Sequence, residues 1–154
     1  MRKGGGKAKG SAFERQIAKE VVKAFKKFGI TQRDCWRSVN SGGHPIAAGD
    51  LEMSEKLAKL FPYAVECKFR KKIKWQNFLT RDIATEEMKW IRQAKEGADK
   101  FENLSPILVM KENHGKIYAL EFFKSWEAYS MVTWKKFLKN AVENLMGRKK
   151  HARA

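Results

Sequence analysis

Between residues 11 and 28, apolar side chains at Phe13, Ile17, Val21 and Phe25 recur every four positions, with Ala18 and Val22 widening the stripe. That spacing follows the helical turn, so the segment predicts an amphipathic helix with Gly29 as its C-terminal stop. A short strand candidate follows at Cys35-Trp36-Arg37. Next come a turn-rich run, Asn40-Ser41-Gly42-Gly43-His44-Pro45, and a brief strand candidate at Asp50-Leu51-Glu52-Met53. Residues 63–69 alternate with period two, the clearest strand pattern in the chain: Val65, Cys67 and Phe69 share one face, Ala64, Glu66 and Lys68 the other. A second helix fits residues 85–101, with Ile91, Ala94, Ala98 and Phe101 on one stripe. Pro106 precedes an apolar strand over 107–110, and Asn113-His114-Gly115-Lys116 turns into a strand over 117–120, which predicts a hairpin. A last helix over 134–146 buries Phe137, Leu138, Ala141, Val142, Leu145 and Met146. No internal repeat is visible. The order helix, strands, helix, strands, helix predicts an α/β fold, a mixed central β-sheet flanked by helices with an extra helix at the C-terminal end.

Length and composition change this picture little: 154 residues fit one domain, and 43% hydrophobic content supports a buried core. Charge changes it more. Thirty-three Lys and Arg against 17 Asp and Glu leave +16, which calls for a polyanionic partner because each neutralised phosphate releases counterions. Nucleic acid leads. An anionic membrane surface is the weaker candidate, since no apolar run approaches the roughly 20 residues that span a bilayer, and a small-molecule substrate is not expected. Residues 1–10 are basic and glycine-rich without the apolar stretch of a signal peptide, so a cytoplasmic location is expected, that of the host if the source is viral. They are expected to form a flexible arm that carries Lys7 and Lys9 toward phosphates. Residues 11–146 would form the single domain and 147–154 a basic tail. Two cysteines, Cys35 and Cys67, are too few for a disulfide framework and wrongly spaced for zinc, and read as small buried hydrophobes.

The chemistry concentrates on Glu66 and Lys68. An apolar central strand has little structural use for two charges on one face, and a buried charge is costly unless paired or bound to metal. Asp50, from a neighbouring strand, would complete a two-carboxylate cup for Mg2+, which commonly binds through one or two carboxylates plus water and phosphate oxygens. Such an ion activates water and stabilises phosphate charge, while Lys68 would orient or deprotonate the nucleophile. Other readings stay open. Glu66 and Lys68 could form an ion pair on a solvated sheet, Asp50 could cap backbone amides, and Glu14 could close a capping box with Ser11. Glu52 would be a spare ligand if its strand is regular, and His44 a lone loop histidine. Lys71, Lys72 and Lys74 interleave with Trp75 and Phe78, a pattern that suits stacked bases, a subunit contact, or a solvated loop with core anchors. Trp90 and Gln93 read as helix-packing residues.

Gly49-Asp50 followed by Glu66-Cys67-Lys68 resembles the signature of the PD-(D/E)XK nucleases, an Asp and an E-x-K tripeptide on adjacent strands. Upstream, Lys9-Gly10-Ser11-Ala12-Phe13-Glu14-Arg15 resembles the opening helix of the archaeal-type Holliday junction resolvases, and Arg37-Ser38-Val39-Asn40-Ser41-Gly42 their Arg-Ser-x-Gly-Ser segment. The likeness covers roughly residues 7–70. It implies a restriction-endonuclease-like sheet, Asp50 and Glu66 as metal ligands, Lys68 as the catalytic lysine, Glu14 as a metal-site carboxylate and Ser41 as a supporting loop residue. Arg15 and Arg37, with Lys7, Lys9, Lys71 and Lys72, would hold DNA phosphates. It further implies a Mg2+ cofactor, with Mn2+ able to substitute, and a homodimer that cuts four-way junctions in branched double-stranded DNA, one metal site per scissile strand. The chain departs from the pattern in three ways. Gly49 stands where proline or an aliphatic residue is usual, residues 51–62 exceed a tight hairpin with a helical turn fitting 54–60, and the chain runs past the usual C-terminal end. A less selective nuclease of the same superfamily, for flaps, ends or restriction, and a non-catalytic basic nucleic-acid-binding protein are the alternatives.

Overall fold

The computed structural model describes residues 5–39, 49–123 and 128–152. Helix α1 (Gly5–Phe25) runs into a 3-10 turn (Lys26–Phe28) and ends at Gly29, whose φ of 80° is the left-handed conformation a glycine stop supplies. Strands β1 (Cys35–Arg37) and β2 (Leu51–Met53) pair antiparallel, and helix α2 (Glu55–Leu60) follows, capped by the Ser54 side chain accepting from the Leu57 amide. Then come β3 (Tyr63–Arg70), the short helix α3 (Asn77–Thr80), α4 (Glu86–Asp99), β4 (Ser105–Glu112), β5 (Ile117–Phe122), β6 (Tyr129–Thr133) and α5 (Trp134–Ala152).

The main sheet has the order β3-β4-β5-β6, with β3 and β4 parallel and the other neighbours antiparallel. It is the mixed sheet expected of a restriction-endonuclease-like fold, and the extra C-terminal helix is present. Alternation along the strands sorts two cores. Val65, Cys67, Ile107, Val109 and Ala119 pack with Phe13, Ile17 and Val21 of α1 and Phe137 of α5. Leu108, Met110 and Leu120 point the other way, onto Met88, Trp90, Ile91 and Ala94 of α4 and Phe78 of α3. Helices therefore cover both sheet faces, and β3, at one end of the sheet, presents Glu66 and Lys68 toward the α4 side.

Three boundaries differ from those the sequence predicts. Helix α1 starts at Gly5 rather than near Ser11, so the stretch containing Lys7 and Lys9 is helical where described. Once the Phe13-to-Phe25 stripe is nucleated, each added residue gains a hydrogen bond at low cost, and Lys7, Ala8 and Lys9 favour helix enough to offset the glycines. Helix α5 continues through Gly147 to Ala152 instead of stopping at Met146, with the Lys149 ammonium 4.8 Å from the centre of the Phe28 ring. Strand β6, which the sequence reading does not contain, pairs with β5 over five registered positions. Both cysteines are buried thiols, as expected.

Candidate active site

Asp50 is set by Gly49. The Gly49 φ is 79°, and a Cβ there would meet the Val65 carbonyl oxygen at 2.4 Å, so only glycine lets the chain approach β3 this closely. That closeness accounts for glycine where the resemblance calls for proline or an aliphatic residue. Gly49 bridges Val65 in the parallel sense and the Asp50 amide donates to the Val65 carbonyl at 2.8 Å. The Ser38 amide in turn donates to the Asp50 carbonyl at 2.9 Å. Asp50 Oδ2 accepts from the Cys67 amide at 2.7 Å, which fixes the carboxylate against β3 between Glu66 and Lys68.

Asp50, Glu66, Lys68 and Glu14 line one cavity of about 440 Å3 between α1, β3 and α4. Asp50 is 7% exposed. Burial, then the Glu66 and Glu14 carboxylates, push its pKa up to about 7, while the Cys67 amide and Lys68 act the other way. Burial, then the Asp50, Glu66 and Glu14 carboxylates, raise the Cys67 thiol well above its ordinary range, so that thiol is inert. Lys68 Nζ donates to Glu66 Oε1 at 2.7 Å, and each side chain of that pair is 13% exposed. The pair faces the cavity with the other acids, so it is no surface ion pair on a solvated sheet.

The remaining candidates separate. Glu14 lies inside α1 and takes an ion pair from Arg37 Nε, so it closes no capping box with Ser11, which is itself within the helix. Arg37 spends its Nε on Glu14. Arg15, the next residue along α1, is exposed and lines a different surface depression with Lys19 and Lys23. Glu52 is engaged by Trp36 Nε1 at 2.9 Å and Ser38 Oγ at 3.0 Å, away from the cavity, and is no spare ligand. Lys71 and Lys72 are exposed. Phe78 is buried, and Trp75 rests edge-on against Tyr118 at 5.2 Å, so both aromatics anchor the core instead of offering a stacking surface. Ser41 and His44 lie outside the described residues.

The sequence reading gave no cavity role to several polar residues that line it: Arg70 on β3, Gln93 and Glu96 on α4, and Lys100 at the C-terminal cap of α4. Gln93, read from sequence as a packing residue, is exposed and faces the cavity, whereas Trp90 is buried as expected. Spacings of three and four place Gln93, Glu96 and Lys100 on one helical stripe, but a polar stripe looks the same whether it faces water or a site.

The donor set suits a hard divalent cation: carboxylate oxygens, no thiolate or imidazole in the cavity among the described residues, and an Asp50 whose charge the protein alone does not compensate. Among the described residues no group of three or more His, Cys, Asp or Glu side chains is arranged to hold an ion unaided. The residues present fit an ion held by Asp50 and Glu66 with water and substrate oxygens in the other positions, not a closed protein cage. No described helix is long and apolar enough to cross a membrane. A family model with the description "Phage putative PDDEXK endonuclease" matches residues 5–147, nearly the whole chain. No curated protein and no solved structure matched it.

Proposed function

The chain belongs to the phage PD-(D/E)XK endonuclease family, and from that premise we propose that it hydrolyses DNA phosphodiesters through Asp50, Glu66 and Lys68. Nucleases of this superfamily generally use divalent metals. The carrying observation is the buried Asp50 carboxylate held beside the Glu66–Lys68 pair in a single cavity. Asp50 and Glu66 would hold the ion, Mg2+ by preference with Mn2+ able to replace it. Bound there, it would supply neutralisation of phosphate charge and an easier ionisation of water. The Cys67 amide holds Asp50 in place through Oδ2. Glu66 keeps the Lys68 ammonium pointed into the cavity, where it orients the attacking water and neutralises the developing negative charge. Water oxygen adds to phosphorus and gives up a proton, the bond to the leaving sugar oxygen breaks, and that oxygen takes up a proton. Glu14, which lines the same cavity and pairs with Arg37, would be a further metal-site carboxylate and opposes the Asp50 charge.

The finer reading is a Holliday junction resolvase, a homodimer acting on four-way junctions in branched double-stranded DNA. Its support is the ordered run of Glu14, Arg37-Ser38, Asp50 and Glu66-Cys67-Lys68, together with a net charge of +16 suited to phosphate-rich junctions. Synthetic four-way junctions and linear duplex, each with Mg2+ or with chelator, test both levels. Metal-dependent cutting that disappears in Asp50→Asn and Glu66→Gln, with DNA binding retained, is the expected result. Excess linear duplex that fails to compete supports junction selection, and efficient competition rejects it. Binding without cutting in any metal leaves a non-catalytic nucleic-acid-binding protein.

A further inference from the structure

On the far flank of α1 a second depression of about 990 Å3 opens between α1, α5 and the ends of β4 and β5. Its rim carries Lys23, Lys27, Lys111, Lys116, Lys135 and Lys139 against only two carboxylates, Glu20 and Glu143. Both acids are engaged: Glu143 lies 3.8 Å from Lys139, and Glu20 accepts from the Gln16 amide at 2.9 Å. Among the described residues, Lys23, Lys116 and Lys135 have no carboxylate partner. Like charges crowded around a concave surface repel one another unless a polyanion lies among them. Beneath the lysines the depression rests on the buried side chains of Trp134 and Leu138.

One lysine links this groove to the acidic cavity. Phe69 lines the cavity, and two ammonium groups bracket its ring, Lys9 at 5.9 Å and Lys111 at 5.5 Å from the centre. Lys111 also lines the groove, so a single ammonium stands against a wall of each depression. Lys9 and Lys23 are separated by about four turns of α1, which places them on nearly the same side of the helix and about 21 Å apart. At about 3.4 Å of duplex rise per phosphate on one strand, that length matches about six phosphates.

We infer that the groove is a second DNA-contact surface, taking the phosphates of the strand that leads away from the cutting site. The inference rests on the nuclease reading for its direction, and its test does not depend on cleavage. The variant Lys23→Ala/Lys116→Ala/Lys135→Ala is compared with Arg33→Ala/Lys59→Ala/Lys89→Ala, which removes the same charge from exposed positions elsewhere. Binding to duplex DNA is followed by fluorescence anisotropy between about 50 and 200 mM salt, in chelator so that nothing is cut. Thermal melting of each variant checks that the fold is kept. The groove variant is expected to lose about 2.7 from the slope of log affinity against log salt, at about 0.9 per phosphate contact, and the other variant little. Equal slopes for the two variants would overturn the groove. Should the wild type bind through the groove yet never cut DNA, the nuclease reading fails and the contact surface stands. Should cutting depend on Asp50 while the two variants behave alike, the reverse holds.

Discussion

Replacing Asp50 by Asn should stabilise the metal-free protein while ending its activity, and by an amount that depends on pH in a defined way. The carboxyl titrates near 7 in the folded chain against 3.8 when exposed, because burial and two neighbouring carboxylates oppose its charge. Between those values the folded state binds a proton that the unfolded state has released. The Asp50 contribution to stability therefore falls by about 1.4 kcal/mol per pH unit as pH rises from 4 to 7, and levels off above. Taken over the whole shift, the penalty is on the order of 4 kcal/mol at pH 8 and under about 1 kcal/mol at pH 4. Asparagine carries no charge at either pH and keeps an oxygen to accept from the Cys67 amide, so it avoids the penalty without losing the contact. Guanidinium unfolding of both proteins in chelator at pH 4, 6 and 8 measures this. The gap in favour of Asp50→Asn should widen with pH, and saturating Mg2+ should narrow it at pH 8 by stabilising only the wild type. A gap that stays constant across pH, or a variant less stable than the wild type at pH 8, would refute the reasoning.

Lys68→Met should cut the cleavage rate by 100-fold or more, on the scale of a lost catalytic group. DNA affinity measured in chelator should stay within a few-fold, and a fall in affinity matching the loss of rate would place Lys68 in binding instead. Gly49→Ala forces a Cβ to 2.4 Å from the Val65 oxygen at a φ of 79°, and should destabilise the fold by about 2–4 kcal/mol in denaturant unfolding; an unchanged midpoint contradicts the close approach. Glu87, 4% exposed, accepts from the Lys74 amide at 3.0 Å and the Asn77 side chain at 2.7 Å. Glu87→Ala leaves both donors without it and should cost about 1–3 kcal/mol in the same assay, with a loss near zero counting against its role in holding the β3–α4 connection.

The parts of the fold readable in the sequence are those with strong periodicity. The Phe13, Ile17, Val21, Phe25 stripe and the alternation around Glu66 are decided by which face is buried, and burial is written into residue type. Helix ends and β6 were not readable for a different reason. Helix α5 passes Gly147 because Arg148, Lys149 and Lys150 favour helix and suit its C-terminal end, and β6 forms because β5 offers an unpaired edge, a tertiary fact. In the site, Glu66 and Lys68 stood out because two charges share one face of an otherwise apolar strand. The partnership of Arg37 with Glu14, 23 residues apart in sequence, and the turn of Gln93, Glu96 and Lys100 into the cavity leave no local trace. They depend on how α1 and α4 lie against β3.

Titration of the protein with Mn2+, followed by the loss of the free-ion electron paramagnetic resonance signal in the presence of uncut DNA, tests the shared-ion claim most directly. One site per chain is expected in the wild type, greatly weakened in Glu66→Gln although that variant still binds the DNA. Equal Mn2+ binding by the two proteins would mean that Asp50 and Glu66 do not hold a cation together.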